Sequence, residues 1–238
     1  LGPNWSFSHL SYLTLDASST ATVRLPQGYS EVYVLSGGVY SRDKLSQALL
    51  VNMGGGVYQR QLPDGSIMQY DLSDGSTPAK IFMTKIFDPQ ANQTLIQYDA
   101  DFRITSITDP IGEVSTVSYV SNTVGNSGFY KVAQISDPFS RTCAFSYDST
   151  NTNLVSATDV IGLQSTMFYD TSSTFVTALQ TAYGTTAFSQ YTPTPSAYPT
   201  RGLRIKFPDG TNSVVETWFG HEPYDATFIW DRTAMELY

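Results

Sequence analysis

The sequence predicts an all-β protein built from antiparallel hairpins that form a long curved sheet. A strand–turn–strand pattern recurs five times between Met83 and Tyr191. Pro-Asp-Gly corners follow Leu62 and Phe207, on either side of that block, and each lies between segments of alternating polarity. Pro presets φ for a turn and Asp-Gly supplies a residue that tolerates positive φ, so both corners indicate hairpins.

Each repeat contains a turn and a tyrosine ten residues after the start of that turn. The turns begin at Asp88, Asp109, Asp137, Asp159 and Thr181. The tyrosines are Tyr98, Tyr119, Tyr147, Tyr169 and Tyr191. A constant internal spacing of this kind is the signature of a repeat architecture, in which every copy has the same structural role.

The best-formed corner is Asp109-Pro110-Ile-Gly112, which matches a type I turn at its first, second and fourth positions. The corner at Asp159 keeps its glycine, Gly162, and lacks the proline. Aspartates at such corners could also supply paired catalytic acids or calcium ligands. Their regular spacing in turns favours the simpler role, in which each carboxylate accepts hydrogen bonds from its own backbone.

Alternation places each tyrosine and the residue two before it on one face of the outgoing strand. In the incoming strand the apolar pair is three residues apart, as in Ile104 and Ile107. Strict alternation would put these two on opposite faces. Either that strand contains a bulge or both of its faces are covered.

The pattern divides the chain into three parts. Residues 1–82 form an N-terminal region of hairpins, residues 83–191 hold the five repeats, and residues 192–238 form a Pro-rich connector followed by a C-terminal hairpin region. The stretch 41–53 is ambiguous between a helical turn and a loop with one strand. We expect the chain to be a piece of a longer protein.

Composition excludes several classes of function. The net charge is −8 with no Lys/Arg run, so binding to nucleic acid or to an anionic membrane surface is not expected. The apolar runs are too short to insert into a membrane as a helix. The single cysteine, Cys143, rules out an internal disulfide, and its apolar neighbours predict a buried thiol. His9 and His221 lie in no recognisable catalytic or metal-binding motif, so we predict no catalytic residue, metal or cofactor.

The segment from Tyr98-Asp99 through Arg103 to Gly112 resembles the YD repeats of the Rhs/YD-repeat family, with Phe102 where that family prefers glycine. The opening Leu1–Trp5 also looks like the start of many such modules. The resemblance implies a sheet coiled into a shell or barrel with the repeat tyrosines stacked inside. Members are large secreted or surface proteins: polymorphic toxin shells, components of insecticidal toxin complexes, and animal teneurins. The aspartate-rich autoproteolysis region and the toxin domain of an Rhs core are not visible here.

Three functions follow, in order of preference. The first is a non-catalytic structural segment of a secreted or surface shell, whose partners are other segments of the same protein. It would enclose a cargo or present a surface to a protein or glycan. The second is a carbohydrate-binding adhesion module, whose ligand contacts would be irregular aromatics: Trp5, Tyr198, Trp218 and Tyr224. The third is an all-β glycan-active enzyme.

A four-stranded propeller blade is the rival fold, but five units with a 28-residue interval fit radial closure poorly. Function is expected where the repeat breaks: the insertion 122–128, the fifth unit or the flanks.

Overall fold

The computed structural model describes residues 1–26, 28–192, 200–218 and 226–230. Within these ranges the chain forms strands, bridges and turns without a helix, and every strand pairing is antiparallel. The prediction of an all-β fold with a long antiparallel sheet is therefore confirmed. The ambiguous stretch 41–53 has no helix: a turn around Asp43, whose Oδ1 accepts the N–H groups of Leu45 and Ser46, leads into a strand.

The chain divides into two compact units, Leu1–Cys143 and Ala144–Tyr238. The strands of the first unit are β1 (Tyr12–Leu15), β2 (Ala21–Arg24), β3 (Ser30–Tyr33), β4 (Leu35–Ser36), β5 (Val39–Tyr40), β6 (Leu49–Gly54), β7 (Val57–Gln61), β8 (Ile67–Ser73), β9 (Lys80–Phe87), β10 (Gln93–Tyr98), β11 (Ile104–Thr108), β12 (Val114–Tyr119) and β13 (Val132–Ser136). The boundary falls within β14 (Thr142–Tyr147). The strands after it are β15 (Leu154–Thr158), β16 (Gln164–Tyr169), β17 (Val176–Thr181), β18 (Gly184–Tyr191), β19 (Thr200–Lys206), β20 (Asn212–Trp218) and β21 (Ala226–Trp230).

The sheet of the first unit forks at β9. One edge of β9 pairs with β8 along nearly its whole length. The other edge is shared, with β1 opposite Lys80–Phe82 and β10 opposite Lys85–Phe87. One branch continues from β1 to β2 and β3, and the other begins the repeats. Met83 lies at the fork and is completely buried, and its N–H donates to the carbonyl of Ser11 at 2.9 Å.

The corners of the first four repeats share one set of hydrogen bonds. At Asp109 the backbone N–H donates to the carbonyl of Glu113 at 2.9 Å, and the N–H of Gly112 donates to the carbonyl of Asp109 at 3.1 Å. Oδ1 of Asp109 accepts the N–H groups of Ile111 and Glu113 at 3.0 and 2.8 Å. The same pattern occurs at Asp88, Asp137 and Asp159. Each corner is thus a type I turn closed by a residue with positive φ, the common three-residue hairpin loop.

The same turn follows the tyrosine of the first repeat, at the opposite end of the strands. Oδ1 of Asp99 accepts the N–H groups of Asp101 and Arg103 at 3.0 and 2.9 Å. The closing residue is Phe102, with φ of 58°, where glycine would be unstrained. Its ring stacks on Phe82 with centroids 5.5 Å apart and an interplanar angle of 12°. This aromatic contact offsets the backbone cost and accounts for phenylalanine at a glycine position.

A β-bulge opposite the tyrosine of each of the first four repeats resolves the irregular apolar spacing. Tyr98 pairs with Ile104 and Gln97 pairs with Ser106, which leaves Thr105 as the extra residue. The same shift leaves Ala133, Val155 and Thr177 unpaired in the corresponding strands. Because the bulge consumes one residue, Ile104 and Ile107 lie on the same face, together with Tyr98. Of the two alternatives that the sequence left open, the bulge is the one observed.

Replacing Asp109 by alanine tests the role of the corner carboxylates. We expect Asp109→Ala to lower the free energy of unfolding by about 1 kcal/mol, because two backbone N–H groups lose their acceptor. Asp109→Asn keeps the acceptor Oδ1 and serves as the matched control. It should lower the free energy of unfolding by only a few tenths of the amount expected for Asp109→Ala. Urea unfolding at pH 7 measures both. An asparagine variant as unstable as the alanine variant would show that charge, rather than hydrogen-bond geometry, matters at this corner.

Candidate functional site

The repeat tyrosines use their hydroxyls to bond the backbone of their own unit. The Tyr98 hydroxyl donates to the carbonyl of Met83 at 2.6 Å, Tyr119 to Ile104 at 2.9 Å, and Tyr169 to Leu154 at 2.7 Å. The acceptor is in each case fifteen residues earlier and is the first apolar residue of that unit. Tyr147 has the same register and the same bulge. Each hydroxyl therefore ties the end of its unit to the beginning.

Burial keeps two of these hydroxyls protonated. It raises the pKa of Tyr98 above its usual range and that of Tyr119 to about 12. A phenol that stays neutral remains a donor at every physiological pH. The hydroxyls of Tyr98 and Tyr119 are thus permanent structural donors and do not act as acids near neutrality.

Tyr70 is a further member of this row that the ten-residue spacing does not reveal. It is completely buried and pairs with Met83, as Tyr98 pairs with Ile104. Its hydroxyl lies 2.9 Å from Oγ of Ser11, and burial raises its pKa to about 12. The available signal was the dipeptide Tyr70-Asp71, which comes only eight residues after Leu62, the first residue of its turn.

The fifth unit departs from the other four in register. Its turn is two residues long, since Thr181 pairs directly with Gly184. Leu179 consequently pairs with Thr186, seven residues on, whereas the matching pair in the fourth unit, Ala157 and Ser165, is eight residues apart. Because side chains alternate along a strand, the loss of one residue exchanges the two faces.

Tyr191 therefore lies on the opposite face from Tyr169. Its hydroxyl donates to Oε1 of Glu216 at 2.6 Å. Between them lies Gly202, where a Cβ atom would be only 2.5 Å from the tyrosine ring, so glycine is required there. The guanidinium of Arg204 lies 5.4 Å from the centre of the ring. The prediction that Tyr191 repeats the role of the other four tyrosines was wrong, because it assumed a constant turn length.

A buried ion pair joins β3 to β7 in the first unit. Nε and Nη2 of Arg60 donate to the two carboxylate oxygens of Glu31 at 2.6 and 2.7 Å, and the Tyr33 hydroxyl donates to Oε2 of Glu31 at 2.5 Å. All three side chains are at most 3% exposed. Burial alone would raise the pKa of Glu31, but the hydrogen bonds from Arg60, Ser46 and Tyr33 together with the charge of Arg60 outweigh it and lower the pKa. The sequence did not reveal this cluster, because its members are far apart in the chain.

The insertion 122–128 is held at its base by Arg103. Nη1 donates to the carbonyls of Ser121 and Phe129 at 3.1 and 3.0 Å, and Nε bonds Oδ2 of Asp99 at 2.8 Å. The guanidinium also contacts the rings of Tyr119 and Phe129, with 4.6 and 4.0 Å to their centres. Residues 122–127 are exposed, so the insertion is a surface loop on a fixed base.

The remaining residues singled out in the sequence do not converge. His9 contacts Phe7 and Ser8, and burial lowers its pKa, so it is neutral at pH 7. His221, Tyr198 and Tyr224 lie outside the described residues, as does the side chain of Trp218. Trp5 is 36% exposed. Cys143 is half-buried, so the expected burial is only partial: it lies on the more buried face of β14, and no position of that strand is fully buried.

In the described part of the chain, no group of three or more His, Cys, Asp or Glu side chains is arranged to hold a metal ion. No helix there is long and apolar enough to span a membrane.

Comparisons with known proteins find a likeness to solved structures. No family model matches the sequence, and no curated protein matches it. A chain in the structure of the Photorhabdus luminescens Tc holotoxin pore with the mutation TccC3-D651A is 11% identical, with a TM-score of 0.25. The match covers 90% of this chain and 14% of the other, so the present chain spans about a seventh of that protein. A likeness at this TM-score carries no conclusion about function.

Removing one repeat hydroxyl tests its contribution to stability. We expect Tyr169→Phe to cost about 1–3 kcal/mol, because the partly buried carbonyl of Leu154 loses its donor while the ring remains. Tyr183→Phe is the matched control, since Tyr183 is 84% exposed, and it should change the midpoint of urea unfolding very little. Equal effects of the two substitutions would contradict the role assigned to the hydroxyl.

The Glu31–Arg60 pair predicts an acid-sensitive contribution to stability. The folded pKa of Glu31 is lowered, so its contribution is complete above the unfolded pKa of about 4.3 and is lost as pH falls through the folded value. At pH 7 Glu31→Gln should cost about 3–5 kcal/mol, because the buried Arg60 loses its counter-charge.

The measurement is the free energy of unfolding of both proteins from pH 7 to pH 2. The difference between wild type and Glu31→Gln should shrink as the pH falls from the unfolded pKa of Glu31 toward its lowered folded pKa, because the unfolded wild-type chain then gains a proton that the folded protein does not hold. Comparing the two proteins at each pH removes the effect of the exposed aspartates. A difference that stays constant with pH would show that the loss is steric.

Proposed function

We propose that this chain is a non-catalytic structural segment of a secreted or surface-exposed YD-repeat shell. Such a segment would pack against other parts of the same protein and would enclose a cargo or present a surface. The observation that carries the proposal is the bond from each of three repeat tyrosines to the carbonyl fifteen residues before it. The tyrosines that mark the repeat in the sequence therefore act as structural hydrogen-bond donors within it.

The corner carboxylates support the same conclusion. A general acid or a nucleophile needs a carboxylate that can reach a substrate atom, and in a glycosidase two such groups face each other. Here Oδ1 of each corner aspartate accepts two backbone N–H groups of its own turn, as at Asp109 and Asp159. At Asp137 the second oxygen also bonds Nε of Arg141 at 2.5 Å. Equivalent groups engaged in equivalent bonds suit a repeated corner better than one catalytic pair.

The sheet architecture supports a wall within a larger assembly. Every repeat adds two strands to a sheet that continues in both directions, so a unit of this kind is stabilised chiefly by its neighbours. The described surface also keeps large apolar side chains exposed at successive turn tips, among them Ile111 and Phe139 in the first unit and Ile161 and Tyr183 in the second. Where such side chains form a contiguous patch, they mark a surface that contacts other protein.

The experiment uses the full-length gene product that contains this chain. Limited proteolysis should show that Tyr98→Phe together with Tyr169→Phe increases the rate at which the flanking segments are cleaved, by about tenfold or more. The control, Tyr183→Phe, should leave the rate unchanged. Hydrolysis of any glycoside by the chain, lost on replacing one corner aspartate and retained on replacing its repeat equivalents, would overturn the non-catalytic role.

A further inference from the structure

The second unit contains a cavity of about 370 Å³ at the C-terminal end of β18, at the opposite end of that strand from its two-residue turn. Its apolar lining comes from Phe175, Leu203 and Val215, and its polar lining includes Gln190, Arg201 and Thr217. The volume falls within the range of roughly 300–1,000 Å³ found for small-molecule sites.

The cavity is centred on the strand position that a tyrosine occupies in the regular units. In the fourth unit Tyr169 pairs with Val176, and in the fifth the residue at the same place is Gln190, paired with Leu203. Gln190 faces the same side of the sheet as Tyr169, since the two-residue turn shifts the register by one. An amide side chain thus stands where an aromatic ring would pack against the next strand.

The hydrogen-bond acceptor of the regular units is also in place. The carbonyl that receives each repeat hydroxyl belongs to the fifth residue before the turn, which is Leu154 in the fourth unit and Val176 in the fifth. Tyr191 does not donate to Val176, because its hydroxyl bonds Glu216 on the other face. Val176 is the chain neighbour of the lining residue Phe175.

We propose that this cavity binds the phenol ring of a tyrosine side chain presented by another polypeptide. The inserted ring would pack between Phe175, Leu203 and Val215, and its hydroxyl would donate to the Val176 carbonyl. Tyr169 makes the corresponding hydrogen bond within its own unit. The fifth unit is therefore a repeat that takes its tyrosine from a partner. This site adds a specific interaction to the structural role proposed above, and it does not depend on that role.

The test is a titration of the whole 238-residue chain with N-acetyl-tyrosinamide, followed by NMR of the methyl groups of Leu203 and Val215. Saturable shifts confined to these methyls and to the Phe175 ring are expected. N-acetyl-phenylalaninamide should bind about fivefold or more weakly, since it lacks the hydroxyl that bonds the carbonyl. Methyl glucoside is the third probe, because an aromatic and amide lining could also suit a sugar.

Gln190→Tyr supplies the missing ring from within and should weaken binding by more than tenfold while raising the thermal midpoint. Ser189→Tyr is the matched control, since it adds the same ring at the adjacent position on the opposite face, and it should leave binding unchanged. If Gln190→Tyr fails to fold, Thr217→Tyr blocks the rim and should have the same effect on binding. No saturable shift at 50 mM probe, equal binding of the phenylalanine analogue, or binding of the glucoside alone would overturn the proposal.

Discussion

The bond between a tyrosine hydroxyl and the carbonyl fifteen residues earlier is the constraint on which the repeats of Tyr98, Tyr119 and Tyr169 depend. It fixes the distance between the two ends of a unit, and it is possible only when three local features agree. The turn must have three residues, the next strand must bulge after the tyrosine, and the residue two before the tyrosine must share its buried face. A buried carbonyl without a donor is costly. A shift in strand register would therefore lose this hydrogen bond and the apolar packing of the core together.

Much of this fold could be predicted from local sequence. The residues of the corner at Asp109 predict its turn type, and alternation assigns Tyr98 and Ile96 to one face. In the structure Tyr98 is half-buried and Ile96 is buried. The bulge was one of two alternatives, because apolar spacing alone does not distinguish an extra residue from a strand covered on both faces. The flipped face of Tyr191 could not be seen, since Thr181 to Gly184 has the same spacing as Asp109 to Gly112 and only the pairing shows which residues form the loop.

Long-range polar contacts account for what sequence reasoning missed in the first unit. Glu31 and Arg60 are 29 residues apart on strands that are not neighbours in the chain, and neither position looks unusual in its own strand. Their bidentate pair lies near the fork at β9, where Ser11 bonds both the carbonyl of Arg24 and the hydroxyl of Tyr70. A buried pair of this kind contributes little net stability compared with an apolar pair, but it penalises any packing that separates its members. The cluster thus selects one arrangement of the branch formed by β1, β2 and β3.

The two-residue turn at Thr181 has a consequence for how such a chain can grow. Repeats with three-residue turns place their tyrosines on the same face of the sheet. Further copies can be added by gene duplication, because every new copy presents that same face to the core. A copy placed after the fifth unit would present its tyrosine to the other side of the sheet. A turn that is shorter by one residue therefore ends the run of units whose tyrosines share one face of the sheet.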